Sequence, residues 1–385
     1  MKINKSLVFK SLLIFHPIIY NPMKEKIFPI TLLLAVILFS FPACSSGDDR
    51  NEEVFEIIEK NDSDPSNSEG GDQNSGDTDS GDSDTDSLDT GYIINDGSND
   101  THAPKYFKME PYFRLVANGG GQQGAALYGD YLFHATVNGE THIYNMKEKK
   151  HITTLKLGTM GHADTMCFGI QKVEENDEFP VLYISGSNSN SSGKGGDIYV
   201  YRLTRSTDES GNEKWEGSLV QHIVTPNVSI IGSFPDVVID TEKKLMWVMG
   251  WLNPNDYDKE AGANCTNCFS KYNIPDIWDG KPDNKGVYQL TLSEEERLSY
   301  FLVYDIHAIT QGICFYNGKI ICPYGMPSLP FKGIDVVDIE KEKITQNVNL
   351  KGASIYEAEA AVMYENFLYI LGQREYVYKC SGLDL

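Results

Sequence analysis

No stretch between Lys105 and Leu385 of the 385-residue chain sustains a 3.6-residue apolar period. The best helical candidate is the short segment from Ser293 to Arg297. There is no G-x-S-x-G elbow, phosphate loop, dinucleotide fingerprint or H-E-x-x-H helix, which removes the common hydrolase, nucleotide-binding and zinc-protease designs. Basic residues are few: 33 Lys and Arg stand against 55 Asp and Glu, a net charge of −22. About −10 of this falls in Lys105 to Leu385. Such a surface argues against nucleic acids and other polyanions and leaves neutral sugars, peptides and cations as the easier partners. Metal motifs are missing too. Cys265 and Cys268 form a lone C-x-x-C with no second pair or spaced His beside it, so a local disulfide or two free thiols is expected rather than zinc. The run Asp82, Asp84, Asp86 begins like a calcium loop, but Ser87 and Ile93 stand where the turn Gly and the bidentate Glu belong.

What the chain has, first, is a leader. Lys24 and Lys26 precede an apolar run from Ile30 to Ala43, shorter than the roughly 20 residues of a membrane span. Cys44 follows it directly. Met23 to Cys44 is a complete signal in itself, so the expected start is Met23 and the expected signal region is 1–43. A cysteine after such a run resembles the bacterial lipoprotein signal, which implies acylation of Cys44, although Phe41 replaces the usual Leu. Ser45 to Asp49, acidic just after that cysteine, resembles the surface-export signal of Bacteroidota lipoproteins. The implied location is the outer membrane, at the cell surface, held by acyl chains in the lipid; a periplasm-facing anchor is the alternative.

Residues 44–104 then hold 18 Asp or Glu from Ser45 onward against Arg50 and Lys60. A Gly, Ser, Asp and Asn composition of this charge buries too little apolar area to offset ordering entropy, so a disordered acidic linker is expected. Asp86, Ser87 and Leu88 resemble the O-glycosylation sequon of Bacteroidota, which places a glycan on Ser87.

Residues 105–385 are rich in Tyr, Val, Ile and Gly, with turns roughly every eight to twelve residues, and read as all-β. Self-comparison gives the architecture. Gln123 to Phe133, Gln311 to Ile321 and Glu359 to Tyr369 share one pattern: a polar residue, a small or apolar strand, a two-residue hairpin turn and a second apolar strand. Looser copies begin at Asp164 and Asp236. Two further candidate strands follow a hairpin, as in Thr141 to Tyr144 with Lys150 to Leu157. Units of four strands at this spacing predict a five-bladed β-propeller, with six blades as the alternative. The last unit lacks a strand, and Tyr112 to Ala117 has no unit of its own. That N-terminal strand is expected to complete the C-terminal blade and close the ring.

In a propeller the first strand of each blade lines the channel, so the residues opening the repeats face one axial mouth. These are Gln123, Asp164, Asp236, Gln311 and Glu359, with His162 and Glu357 two positions earlier and Arg374 within reach. They are the candidate ligand-binding or catalytic residues, the carboxylates and His162 supplying acid, base or cation-ligand capacity. No cofactor is implied, though a cation in the channel fits the acids. Tyr257, Phe269, Tyr272 and Trp278, in the insertion from Asn253 to Gly286, are expected to wall the mouth and stack on sugar rings. Binding of a small polar or glycan ligand by a monomer is the first expectation. An enzyme using His162 and the carboxylates is the second, and a protein-interaction platform the third.

Thr310, Gln311, Gly312 and Ile313 resemble the F-T-Q-G-L repeats of plant-type glutaminyl cyclases, which are five-bladed propellers. That resemblance implies a proton shuttle by Glu357 or Glu359 as an N-terminal glutamine cyclises. It covers one or two repeats.

Overall fold

The computed structural model describes residues 91–97, 105–116, 121–137, 139–158, 163–186, 196–225, 232–252, 262, 265–326, 330–372 and 376–385. Contacts divide the chain into residues 1–45 and 46–385, and every described residue belongs to the second unit. Cys44, Ser87, the leader and the acidic stretch up to residue 90 lie outside the described residues.

All the regular elements described are strands. The segment from Ser293 to Arg297, expected as a helix, is a single turn. Its Ser293 hydroxyl accepts from Glu296 N at 3.2 Å while Glu296 Oε2 accepts from Ser293 N at 2.8 Å. The reciprocal cap has formed with no apolar helical stripe behind it to propagate.

In chain order come β1 (Tyr92–Asn95) and β2 (Tyr106–Arg114), then a first antiparallel set of β3 (Gln122–Tyr128), β4 (Tyr131–Thr136), β5 (Glu140–Asn145) and β6 (Lys150–Lys156). A second set follows: β7 (Met166–Phe168), β8 (Leu182–Gly186), β9 (Asp197–Thr207) and β10 (Glu213–Val224). The third begins with β11 (Ser233–Asp240), β12 (Leu245–Trp251) and β13 (Cys265–Asn273). Before its last strand the chain leaves to form β14 (Lys281–Pro282) and β15 (Tyr288–Thr291), then returns as β16 (Ser299–Ile306). The fourth set is β17 (Cys314–Tyr316), β18 (Lys319–Gly325), β19 (Lys332–Asp338) and β20 (Lys343–Asn349). Last come β21 (Ala358–Tyr364), β22 (Phe367–Gly372) and β23 (Tyr376–Ser381).

The two ends of residues 91–385 are stitched together. β2 pairs antiparallel with β23, from Lys108 opposite Ser381 to Arg114 opposite Tyr376. An N-terminal strand therefore completes the last set, beginning at Tyr106, six residues before the expected Tyr112. β1 pairs with both β2 and β20, joining the outer edges of the fourth and fifth sets.

Two of the tightest hairpins have a plain cause. Asn317 and Gly318, at φ 47° and 74°, and Glu365 and Asn366, at 49° and 64°, all lie in the left-handed region that the mirror-image two-residue turns require.

The apolar faces meet between successive sets. Phe133, Leu182 and Trp215 pack between the first and second, Val237 and Met246 with Tyr183 between the second and third, and Trp247, Phe301 and Ile320 between the third and fourth. Ile334, Val348 and Ile370 lie between the fourth and fifth, and Leu132 and Tyr144 with Tyr369 between the fifth and first. Along the interior β3 touches β7, β7 touches β11, β11 touches β17, β17 touches β21, and β21 touches β3. This is a propeller-like all-β arrangement, with the first strands of the sets innermost.

The third strand of the third set corrects one expectation. Cys265–Asn273, placed by sequence in an insertion, is a core strand paired to β12 on one side and β16 on the other. The excursion falls instead between β13 and β16, where β15 pairs parallel with β10 of the neighbouring set.

Candidate functional site

The inner strands of three sets carry a register break at the same place, between Gln122 and Ala125, between Ser233 and Asp236, and between Ala358 and Ala360. A bulge leaves a residue outside the ladder and turns its side chain, and here the breaks involve Gln123, Asp236 and Glu359, the residues expected at the axial mouth.

Backbone bonds draw these strand starts together. Gly124 N donates to Ala163 O at 2.8 Å, Gly312 N to Glu359 O at 2.8 Å, and Ile313 N to Thr165 Oγ1 at 3.3 Å. A Cβ on Gly312 would lie 2.8 Å from the carbonyl oxygens of both Asp164 and Glu359, and one on Gly124 would lie 2.7 Å from Asp164 O. Glycine permits that approach. The axis is pinched at this level, and the polar residues surround the pinch.

Two clusters result. In one, Gln311 Nε2 donates to Glu357 Oε1 at 3.1 Å and to Gly325 O at 3.0 Å. Burial, opposed by the neighbouring Glu359 carboxyl, raises the Glu357 pKa to about 7. Lys332 sets this residue's approach, its ammonium donating to Ala353 O at 3.0 Å and Ile355 O at 2.5 Å on the segment leading into it.

In the other cluster Asp236 Oδ1 accepts from Thr165 Oγ1 at 2.6 Å and from Ser185 Oγ at 3.4 Å. Burial first, and the Asp164 charge second, push its pKa well up against those two hydroxyls. Asp236, so enclosed, ties the second set to the third. Asp164 and Gln311 are half-buried, whereas Gln123, Asp236, Glu357 and Glu359 are buried. The mouth therefore reaches solvent through Asp164 and Gln311, with the carboxyl pair deeper.

Other residues sort differently. His162, Arg374 and Tyr257 lie outside the described residues. Phe269 and Tyr272, expected on a ligand wall, are buried core residues of β13, Phe269 stacked on Phe301 at 5.0 Å. Trp278 is exposed, edge-on to Tyr288 at 5.4 Å. Its turn is held to β10 by Gln221, whose amide donates to Asp276 O and Asp279 O. β10 lies three strands out from the innermost strand of its set, so Trp278 is at the rim and not the mouth. Cys167, Cys265, Cys268, Cys314, Cys322 and Cys380 are free thiols, and burial raises the pKa of each. They behave as packing groups.

Sequence pattern did not single out Thr165 and Ser185, or the device that delivers Gln311. His307 Nδ1 lies 2.9 Å from Asp335 Oδ2, its ring stacked on Tyr324 at 4.1 Å. Two residues on, Ile309 sits at φ 59°, costly for a β-branched side chain, and its carbonyl accepts from Gly325 N at 2.9 Å. A signal existed for Thr165, a hydroxyl next to a repeat-opening Asp. None existed for His307, whose partner lies 28 residues away.

His134 and His142 form a second buried polar group, opposite each other on β4 and β5. Burial and the neighbouring His142 lower the His134 pKa to about 3. His142 Nδ1 lies 2.9 Å from Thr154 Oγ1. His134 stands on the second strand of its set, behind the innermost strand that carries Gln123. Among the described residues no three His, Cys, Asp or Glu converge on a metal position.

No protein-family model and no curated protein matches the sequence. Among solved structures the chain is similar to a glutaminyl cyclase of Myxococcus xanthus, at 8% identity and a TM-score of 0.41, covering 72% of this chain and 97% of that one. It is also similar to a hydrazine synthase of Kuenenia stuttgartiensis, at 10% identity and a TM-score of 0.31, covering 66% of this chain and 56% of that one. A third is the computationally designed Ika8 protein, at 9% identity and a TM-score of 0.30, covering 71% and 99%. Likenesses this distant carry no activity or ligand to this chain.

Proposed function

We propose that residues 105–385 form a five-bladed β-propeller whose axial cluster is the acid–base centre of an enzyme acting on a small polar substrate. The observation that carries this is Glu357. Its pKa of about 7, the partner carboxyl of Glu359 and the orienting amide of Gln311 make a group that takes and returns a proton near neutrality. The glycan-binding expectation loses its support, since Phe269 and Tyr272 are in the core and Trp278 is at the rim.

The substrate tested first is an N-terminal glutamine, on the strength of the Thr310 to Ile313 resemblance. The α-amine attacks the side-chain amide carbon, Glu357 accepts the amine proton and returns it to the leaving nitrogen, and the products are a pyroglutamyl peptide and ammonia. Ammonia release from a glutaminyl peptide, falling at least about a hundredfold in Glu357→Gln, is the expected result. No release, or equal release by the variant, overturns the proposal. On the sequence alone we also propose anchoring through acylated Cys44 at the outer surface, a glycan on Ser87 and a monomeric state.

A further inference from the structure

The outer edges of the sets are not all treated alike. β10 takes β15 along its outer side, β23 takes β2, and β1 bridges β2 and β20. Among the described residues no strand pairs with the outer side of β16 or of β6. A strand left at an edge presents a row of backbone N–H and C=O groups to which another strand can add.

β6 is set apart by charge. The turn leading into it carries Lys147, Lys149 and Lys150 against Glu148, all exposed, on a domain that is net negative. Lys147 and Lys150 enter no ion pair among the described residues. Lys149 lies over the Tyr112 ring at 4.1 Å, and Lys156, at the far end of the strand, pairs with Glu140 at 3.8 Å. His151 adds no charge near neutrality, since burial lowers its pKa. Ile152 and Leu155 pack toward the second set, so a strand added beside them lays its own apolar side chains against a cluster already there.

Lysines on an edge, and the register break that leaves Ile152 outside the β5 ladder, turn away neutral strands and second copies of the same edge. An acidic strand meets the reverse. Most of this surface repels it and the β6 edge attracts it, so charge selects both the partner and the place. A lipid headgroup would give the lysines an anion but leave the backbone row unpaired.

We infer that the outer edge of β6 is a docking site for an acidic, extended peptide segment of a partner protein, which adds to the first set beyond β6. The inference is independent of the acid–base proposal, because β6 lies three strands out from the innermost strand of its set.

The test is titration of the full chain against a fluorescein-labelled peptide of about seven residues alternating Glu and Val, followed by polarisation. Two controls accompany it: the peptide with Lys in place of each Glu, and the acidic peptide N-methylated at two adjacent central residues, which keeps its charge and removes ladder N–H groups from both edges. The acidic peptide is expected to bind at least about tenfold more tightly than either control. It should also slow hydrogen exchange over Lys150–Lys156 at least about threefold and leave β16 unaffected. The double variant Lys147→Glu, Lys150→Glu, changed only at exposed positions, is expected to melt like wild type and to lose at least about tenfold in affinity. Equal binding of either control, no binding at millimolar concentration, protection of β16 in place of β6, or undiminished binding by the double variant overturns the inference. Peptide binding seen only after removal of residues 48–90 would give the edge to the chain's own acidic stretch. Lysine-dependent pelleting with phosphatidylglycerol vesicles, without peptide binding, would give it to a membrane surface; either result also overturns the inference.

Discussion

Glu357 and His134 tilt the stability of the molecule in opposite directions with pH. The Glu357 carboxyl keeps its proton to about pH 7 when folded, but the unfolded chain releases it near the ordinary glutamate value of 4.5. Between those values the folded state binds more protons, so stability falls as pH rises, by about 3 kcal/mol over the window. Asp236, shifted the same way, adds to that slope. For His134 the folded ring stays neutral down to about 3 while the unfolded ring takes a proton near 6.5. Stability falls as pH drops below 6.5, by about 2 kcal/mol at pH 5. Urea unfolding from pH 4.5 to 8 should show wild type losing stability relative to Glu357→Gln between pH 4.5 and 7, while His134→Phe flattens the acid side alone. Parallel curves for wild type and both variants would mean that neither group is buried as described.

At the scale of the element, the hairpins were legible and the long excursion was not. Gln123 to Phe133, Gln311 to Ile321 and Glu359 to Tyr369 showed themselves because their turn chemistry and their unbroken small or apolar strands lie within a dozen residues. The third strand Cys265–Asn273 did not, because its partners are β12 across a long connection and β16 across the β14–β15 excursion. The axial candidates were legible as repeat openers, yet their separate roles were not. Whether an acid is enclosed by Thr165 and Ser185, like Asp236, or paired with another acid, like Glu357, depends on neighbours from other sets. Gly312 tests that distinction. An added methyl meets the carbonyl oxygens of Asp164 and Glu359 at 2.8 Å, so Gly312→Ala should cost about 1–3 kcal/mol and move the bulge that aims Glu359. Gly318→Ala meets nothing within 4 Å and should cost about 1–2 kcal/mol through its φ of 74° alone. Both variants should melt earlier, and only Gly312→Ala should lose turnover; equal turnover in the two would separate the pinch from the chemistry.

At the scale of the whole molecule, closure and attachment lie next to each other in the chain. The apolar clusters between sets make the ring a sequence of packed interfaces, and the junction of the fourth and fifth sets bears the extra strand β1 on its outer edge. That junction also holds the hydrogen bond of the proposed acid–base centre, Gln311 from one set donating to Glu357 from the other. Removing residues 91–114 takes away both β1 and β2, exposes the edge of β23 and should cost several kcal/mol in a loosened cooperative transition, with loss of turnover. Removing residues 48–90, whose composition promises little burial, should leave the melting temperature within about 1 °C of wild type. Equal melting of the two truncations would show that closure rests elsewhere. The same acidic stretch joins the ring to Cys44, so Cys44→Ser should shift the protein from the membrane to the soluble fraction while its melting temperature and turnover stay unchanged. Unaltered detergent partitioning of that variant would refute the acyl anchor. A change in turnover would mean that the membrane presents the axial mouth to its substrate rather than merely holding the ring in place.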